Sequence, residues 1–192
     1  MEVFMKGKDL INIGIFSAIY FVVVMVFAML GFIPVFMPLL AVLVPIVGGI
    51  PFMLFLTKVK KFGMILIMSI IMGIMMILTG MGFFTVIVSA VTGLCAELIY
   101  KSGHYKSASK AVLTHGVFSM WLWGNYLPLF FMADKYWSTR QDFGQDYIDA
   151  LTKLMPMWMC PVLLVTAFIC GIIGGLLGKA LLKKHFAKAG IV

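Results

Sequence analysis

Apolar residues along the chain gather into six long runs, and short polar or turn-forming segments separate them. The runs cover residues 10 to 31, 38 to 57, 62 to 79, 83 to 100, about 111 to 132 and about 157 to 182. A helix needs roughly 20 apolar residues to cross about 30 Å of hydrocarbon, and the runs approach or exceed that length. The pattern predicts an all-α polytopic membrane protein: one domain over residues 1–192 with six transmembrane helices. Two of the expected outer connections are short, "GFIPVFMP" at 31–38 and "GMG" at 80–82. The third, "ADKYWSTRQDFGQDYIDALTKLMP" at 133–156, is long and polar.

Composition agrees with the pattern. With 63% hydrophobic residues against 15 basic and 7 acidic ones, the chain carries more apolar surface than one small soluble core hides. Charge then sets an orientation, because basic residues are retained on the cytoplasmic side. Assigning alternate loops to one face collects Lys6, Lys8, Lys58, Lys60, Lys61, Lys101, Lys106, Lys110, Lys179, Lys183, Lys184 and Lys188 there, twelve of the fifteen basic residues. The other face keeps Lys135, Arg140 and Lys153 beside Asp134, Asp142, Asp146 and Asp149. Both termini are therefore expected in the cytoplasm, and the protein in the cytoplasmic membrane of a prokaryote.

The net charge of +8 sits in juxtamembrane clusters that topology already explains, which argues against nucleic acid. The first run is too long for a signal peptide and lacks a small-x-small cleavage site, so it reads as a retained helix. Cys95, Cys160 and Cys170 all fall inside runs, which excludes a disulfide framework, and they lack metal-ligand spacing.

In the long loop, Phe143, Tyr147, Leu151 and Leu154 recur at helical spacing while Asp142, Asp146, Asp149 and Lys153 take the other side. An amphipathic helix on the outer mouth is expected, either a solvated cap or a lid over a pocket. A calcium site from its aspartates suits helical spacing poorly.

The segment "WLWGNYLPLFF", residues 121–131, places Asn125 about 21 Å along the fifth helix, in its outer third. An unpaired amide in hydrocarbon is costly, so Asn125 should face the bundle interior or a wet cavity. On a continuous helix Trp121, Asn125, Pro128 and Met132 share one face. Pro128 cannot donate to the Gly124 carbonyl, so the helix should bend there. Broken backbone at this depth is tolerated only where it is buried in protein or lines a cavity. This predicts a pocket wall; the bland alternatives are an aromatic belt containing Trp123 and Tyr126 and an interhelical strut at Asn125.

Glu97 lies four residues before Lys101, a spacing that suits a snorkelling ion pair. His115, near the inner end of the fifth run, reads as a packing residue, and neither His104 nor His185 gives it a catalytic or metal partner. Gly14 and Ala18, with Ser17 beside them, form a small-residue face on the first helix. Gly171, Gly174, Gly175 and Gly178 do so on the last, and either face suits internal packing or a partner subunit.

Six spans, "KDLINIGIFSAIYF" at the start of the first, a Pro-containing first outer loop, a long last outer loop and "AELIYKSGHYKS" after the fourth resemble an S component. S components are the substrate-binding subunits of energy-coupling-factor (ECF) transporters; the closest resemblance is to the MptD-like or Trep-Strep branch. It implies capture of a micronutrient from outside, near the outer ends of the later helices, and delivery through a membrane T subunit and two cytoplasmic ATPases. With no GxxxxGK[ST] loop in this chain, it assigns ATP hydrolysis to those partners. The family's alanine-xxx-alanine contact with the T subunit falls on Gly14 and Ala18, a departure at the first position, with Ser17 in the same patch.

Family pocket residues differ with substrate, so candidates come from depth and chemistry. Trp121, Trp123, Tyr126, Phe83, Phe84, Tyr136 and Trp137 could stack on a flat ring, with Asn125 and the Gly124 backbone as polar contacts. A B-type vitamin, a pterin or a haem is the expected substrate class. No resident cofactor or metal is expected, and the thiol-poor outer face argues against a transition-metal cargo. Readings from other classes are a membrane enzyme built on Glu97 and His115, an assembly scaffold, and a secondary transporter.

Overall fold

The α3 helix, Met64–Leu78, begins without a cap of its own: the preceding residue is Gly63, held at φ 97°. The four leading amides of a helix need acceptors, and within a membrane water cannot supply them. Glu97, fully buried on the following helix, reaches across instead. Its Oε2 accepts from the backbone N–H groups of Ile65 at 2.8 Å and Leu66 at 3.3 Å. Tyr105 donates its hydroxyl to Oε1 at 3.3 Å. That tyrosine comes from a turn in which His104 and Tyr105 both hold positive φ, 53° and 58°, a conformation that costs non-glycine residues about 1 kcal/mol each. The expected Glu97–Lys101 pair is thus replaced by a cap between helices, and Lys101 lies over the Phe62 ring at 4.9 Å.

This computed structural model describes residues 5–190; the ends of the expected domain, 1–4 and 191–192, lie outside the described residues. The helices are α1 Gly7–Ala28, α2 Phe36–Leu56, α3, α4 Phe84–Ser102, α5 Ala108–Ser119, α6 Leu127–Phe131, α7 Ala133–Ser138, α8 Gln145–Leu154, α9 Met159–Leu181 and α10 Lys183–Ala189. Among the described residues there is no strand.

Four stretches are long and apolar enough to cross a membrane: Gly7–Phe32, Phe36–Leu56, Phe84–Ser102 and Met159–Leu181. The third apolar run becomes the 15-residue α3, about 22 Å long. The fifth run is broken into α5, a 3₁₀ segment Met120–Asn125, and α6 with Pro128 in its first turn. Pro128 has no N–H to donate to the Gly124 carbonyl at the end of the tighter turn, and its ring suits the first turn of the new helix.

Glycines let the helices approach backbone to backbone. A Cβ on Gly49 of α2 would lie 2.2 Å from the Gly174 carbonyl oxygen of α9, and one on Gly174 would lie 2.2 Å from the Pro45 oxygen. Gly171 and Gly175 meet Ser119 and Val112 of α5, so the glycine face of the last helix is spent on internal packing. Around the resulting core, Tyr20 sets its ring edge against Phe118 at 5.5 Å, and Phe52 packs on Phe118 at 4.2 Å. His115 is fully buried beside them. Its Nδ1 lies 2.6 Å from the Gly171 carbonyl oxygen; only an N–H can donate there, which fixes the proton on that nitrogen.

The interhelical cap gives a direct test. Glu97→Leu leaves two buried amides without an acceptor and should destabilise the bundle by about 2–4 kcal/mol. Glu97→Gln keeps an acceptor and should lose less than half as much, read as thermal unfolding in detergent.

Candidate ligand chamber

At the end of the bundle where α1 finishes and α2 begins lies a cavity of about 280 Å³. Its walls come from several elements. Val24, Met25 and Ala28 of α1 and Met29, Gly31 and Phe32 of the turn after it form one side, with Met37, Leu40 and Val44 of α2. Met76 and Thr79 at the end of α3, Met81, and Leu122, Asn125 and Tyr126 from the broken helix close the other. Tyr136, Trp137, Arg140, Phe143 and Tyr147 roof it.

The roof is the long polar loop, folded as α7, a 3₁₀ turn at Gln141–Phe143, and α8. Gly144, at φ 75° and ψ 157°, ends the turn and starts α8. Phe143 therefore belongs to the turn and not to one continuous helical face with Tyr147, Leu151 and Leu154. It still points inward, stacked on Phe32 at 5.7 Å and 18°.

Two latches hold this roof to the other loops at this end of the bundle. The Arg140 guanidinium donates to the Gly80 carbonyl and, at 2.9 Å, to the Tyr136 carbonyl, while lying 3.8 Å over the Tyr136 ring. Gly80 exposes that carbonyl from a positive-φ turn, φ 89°. The Tyr147 hydroxyl donates to the Gly31 carbonyl. Below the roof, Tyr126 donates to the Met37 carbonyl at 3.1 Å.

The chamber is chemically simple. Five methionines and six aromatic rings supply an adaptable, polarisable lining, and no carboxylate, histidine or cysteine joins them. Asn125 is the polar feature of the inner wall. Its Oδ1 accepts from the Thr85 hydroxyl at 2.8 Å, and its NH₂ group has no hydrogen bond among the described residues. Such a lining can hold a largely apolar, flat molecule and offer an amide donor to one carbonyl or ring nitrogen. Among the described residues, no cluster of His, Cys, Asp or Glu could hold a metal ion.

The residues expected at a pocket scatter. Asn125, Tyr126, Tyr136 and Trp137 line the chamber. Trp121 does not: it is fully buried in the core beneath, 6.4 Å from Tyr20. Trp123 turns to α9 and donates Nε1–H to the Cys160 carbonyl at 2.8 Å. Gly124 faces α4, where a Cβ would lie 2.7 Å from the Thr85 Cα, so its lack of a side chain serves packing. Three residues per turn in the 3₁₀ segment, in place of 3.6, break up the common face assumed for Trp121, Asn125, Pro128 and Met132. Phe83 and Phe84 stack on each other at 4.4 Å and border a separate depression of about 170 Å³ with Pro128 and Met132.

Arg140, Val24 and Met25 of the first helix, and Met29 of the turn after it were not among the expected lining. Apolar residues at the outer end of a span carry no sequence mark that separates pocket from lipid face. On α1, Gly14 and Ala18 are exposed and Gly14 has nothing within 4 Å of its Cβ position, while Ser17 is buried.

An all-helical bundle with membrane-length apolar helices and an apolar chamber under a latched loop defines a polytopic integral membrane protein. The chain belongs to the Trep_Strep family, described as hypothetical bacterial integral membrane proteins, whose profile matches residues 7–188. No curated protein and no solved structure matches it.

The Tyr147 latch is testable by itself. Tyr147→Phe removes one hydrogen bond, about 1 kcal/mol, and should speed amide exchange across 145–154 about fivefold while leaving α9 unchanged. Burial pushes the Tyr147 hydroxyl up to about 12 from the ordinary 10.0. A raised pKa favours the folded, neutral phenol, so the latch is intact below pH 10 and weakens as pH rises from 10 toward 12. The variant should lack that alkaline step in loop exchange.

Proposed function

We propose that the protein is the substrate-binding S component of an ECF-type importer in a bacterial cytoplasmic membrane, with six spans and both termini inside. The carrying observation is the apolar chamber at the outer end, roofed by a loop that two side-chain latches hold down. Substrate enters from outside, the loop closes over it, and release follows association with a T subunit and two ATPases, which hydrolyse ATP. This chain carries no catalytic site in that scheme. The short α3 and the broken fifth helix count as spans here because protein neighbours cover their ends, as capped or packed backbone at membrane depth requires.

The chamber's dimensions narrow the substrate. Small-molecule pockets run from about 300 to 1,000 Å³, and 280 Å³ suits a one- or two-ring planar compound of the vitamin or pterin kind. A tetrapyrrole would need the roof displaced, so haem is disfavoured. The lining rings Tyr126, Tyr136 and Trp137 stack on the compound, and Asn125 donates to it. The exposed Gly14 and Ala18 patch of α1 is the face offered to the T subunit, with Ser17 behind it.

Mass spectrometry of small molecules extracted from the purified protein should return a planar heteroaromatic compound. Asn125→Leu should weaken its retention about tenfold, the value of one buried hydrogen bond to a neutral group. An empty extract from protein purified with its ring lining intact, or full retention by Asn125→Leu, refutes this assignment. Gly14→Leu with Ala18→Leu should abolish co-purification of the T subunit and ATPases while leaving compound retention unchanged.

A further inference from the structure

A second cavity, of about 350 Å³, lies at the opposite ends of the same two helices. Residues 8–12 of α1 border it where residues 24–28 border the outer chamber, about 25 Å apart along the helix. We propose that this cavity binds a phosphate-bearing anion, a lipid headgroup or a soluble phosphate compound.

Three segments distant in sequence bring basic side chains to it: Lys8 from α1, Lys58 and Lys60 from the turn after α2, and His185 and Lys188 from α10. Like charges converging on one hollow repel, and a bound anion removes that repulsion. The single carboxylate of the lining, Asp9, is already engaged. Its Oδ2 accepts from the Lys61 ammonium at 2.9 Å and from the Lys6 backbone N–H at 2.8 Å. Four lysines in the lining therefore face one acid that a fifth lysine outside it neutralises.

The general bias of basic residues to one membrane face does not account for this arrangement, because it needs no cavity. Lys101, Lys106 and Lys110 share the bias and lie outside this cavity's lining. The cavity also sits at the ends of two span-length helices, the depth of the phosphate layer, where basic pockets capture anionic headgroups. The proposal concerns a different end of the molecule from the outer chamber and stands independently of the transport reading.

The test uses the full chain in nanodiscs of phosphatidylcholine with about one quarter phosphatidylglycerol, extracted gently and weighed intact. Retained phosphatidylglycerol should fall about tenfold or more in a Lys58→Gln, Lys60→Gln double variant and stay unchanged in a Lys106→Gln, Lys110→Gln control. A parallel arm measures thermal protection by inorganic pyrophosphate in pure phosphatidylcholine discs. Lipid retention without pyrophosphate protection assigns the site to a headgroup; protection sensitive to Lys58 and Lys60 without lipid retention assigns it to a soluble phosphate compound. Equal losses in both double variants, or neither effect in the native chain, overturns the proposal. Retention of the outer-chamber compound, followed in the same samples, reports separately on that chamber.

Discussion

Hydrocarbon offers no partner to a backbone amide or carbonyl, and the chamber end of this protein is arranged around that constraint. The fifth apolar run leaves α geometry over Met120–Asn125, just ahead of Pro128, which has no N–H to give the Gly124 carbonyl. It does so against α4, where Gly124 sits close enough that a Cβ would collide with the Thr85 Cα. Thr85 then donates to Asn125 at 2.8 Å, and Trp123 ties the far side to the Cys160 carbonyl. The break is thus enclosed by protein on two sides. On the remaining side, Leu122, Asn125 and Tyr126 turn into the chamber, so one backbone irregularity both needs a sheltered volume and supplies its polar wall.

The same constraint explains α3. The leading amides of the 15-residue α3 are buried against α4, and Glu97 supplies the acceptors that Gly63 lacks. Anchoring that end fixes where the helix finishes. Met76 and Thr79 then stop level with the chamber, and the positive-φ turn at Gly80 presents a carbonyl to Arg140. A carboxylate at one end of α3 consequently sets the height of a latch at the other, through one rigid helix.

Periodicity made the helices and the long polar loop legible, since span length and hydropathy follow from composition alone. The position of Asn125 was legible too, because an amide in an apolar run has few tolerable surroundings. What escaped was register. Trp121 and Asn125 share a face only at 3.6 residues per turn, and the 3₁₀ segment turned Trp121 into the core. Glu97 was misread for a related reason: spacing within one helix suggests Lys101, whereas the partners that matter lie on α3, 32 residues away for Ile65. Contacts between helices leave no periodic trace, and the chamber's α1 wall is made of residues indistinguishable in sequence from lipid-facing ones.

The roof is tied down by a small number of side-chain contacts. Its principal side-chain ties are the Arg140 and Tyr147 hydrogen bonds to loop carbonyls and the Phe143–Phe32 stack. Each is worth about 1 kcal/mol net, and they act beside the burial of Tyr136 and Leu151, which packs the roof helices onto the core. A flat molecule bound against Trp137 and Tyr147 would add apolar contact to the closed form alone, shifting the balance further toward closure by its differential affinity. The latches end on Gly31 and Gly80, in turns that close the first and third helical segments, so opening the loop requires no rearrangement of the glycine-packed α2–α9 core.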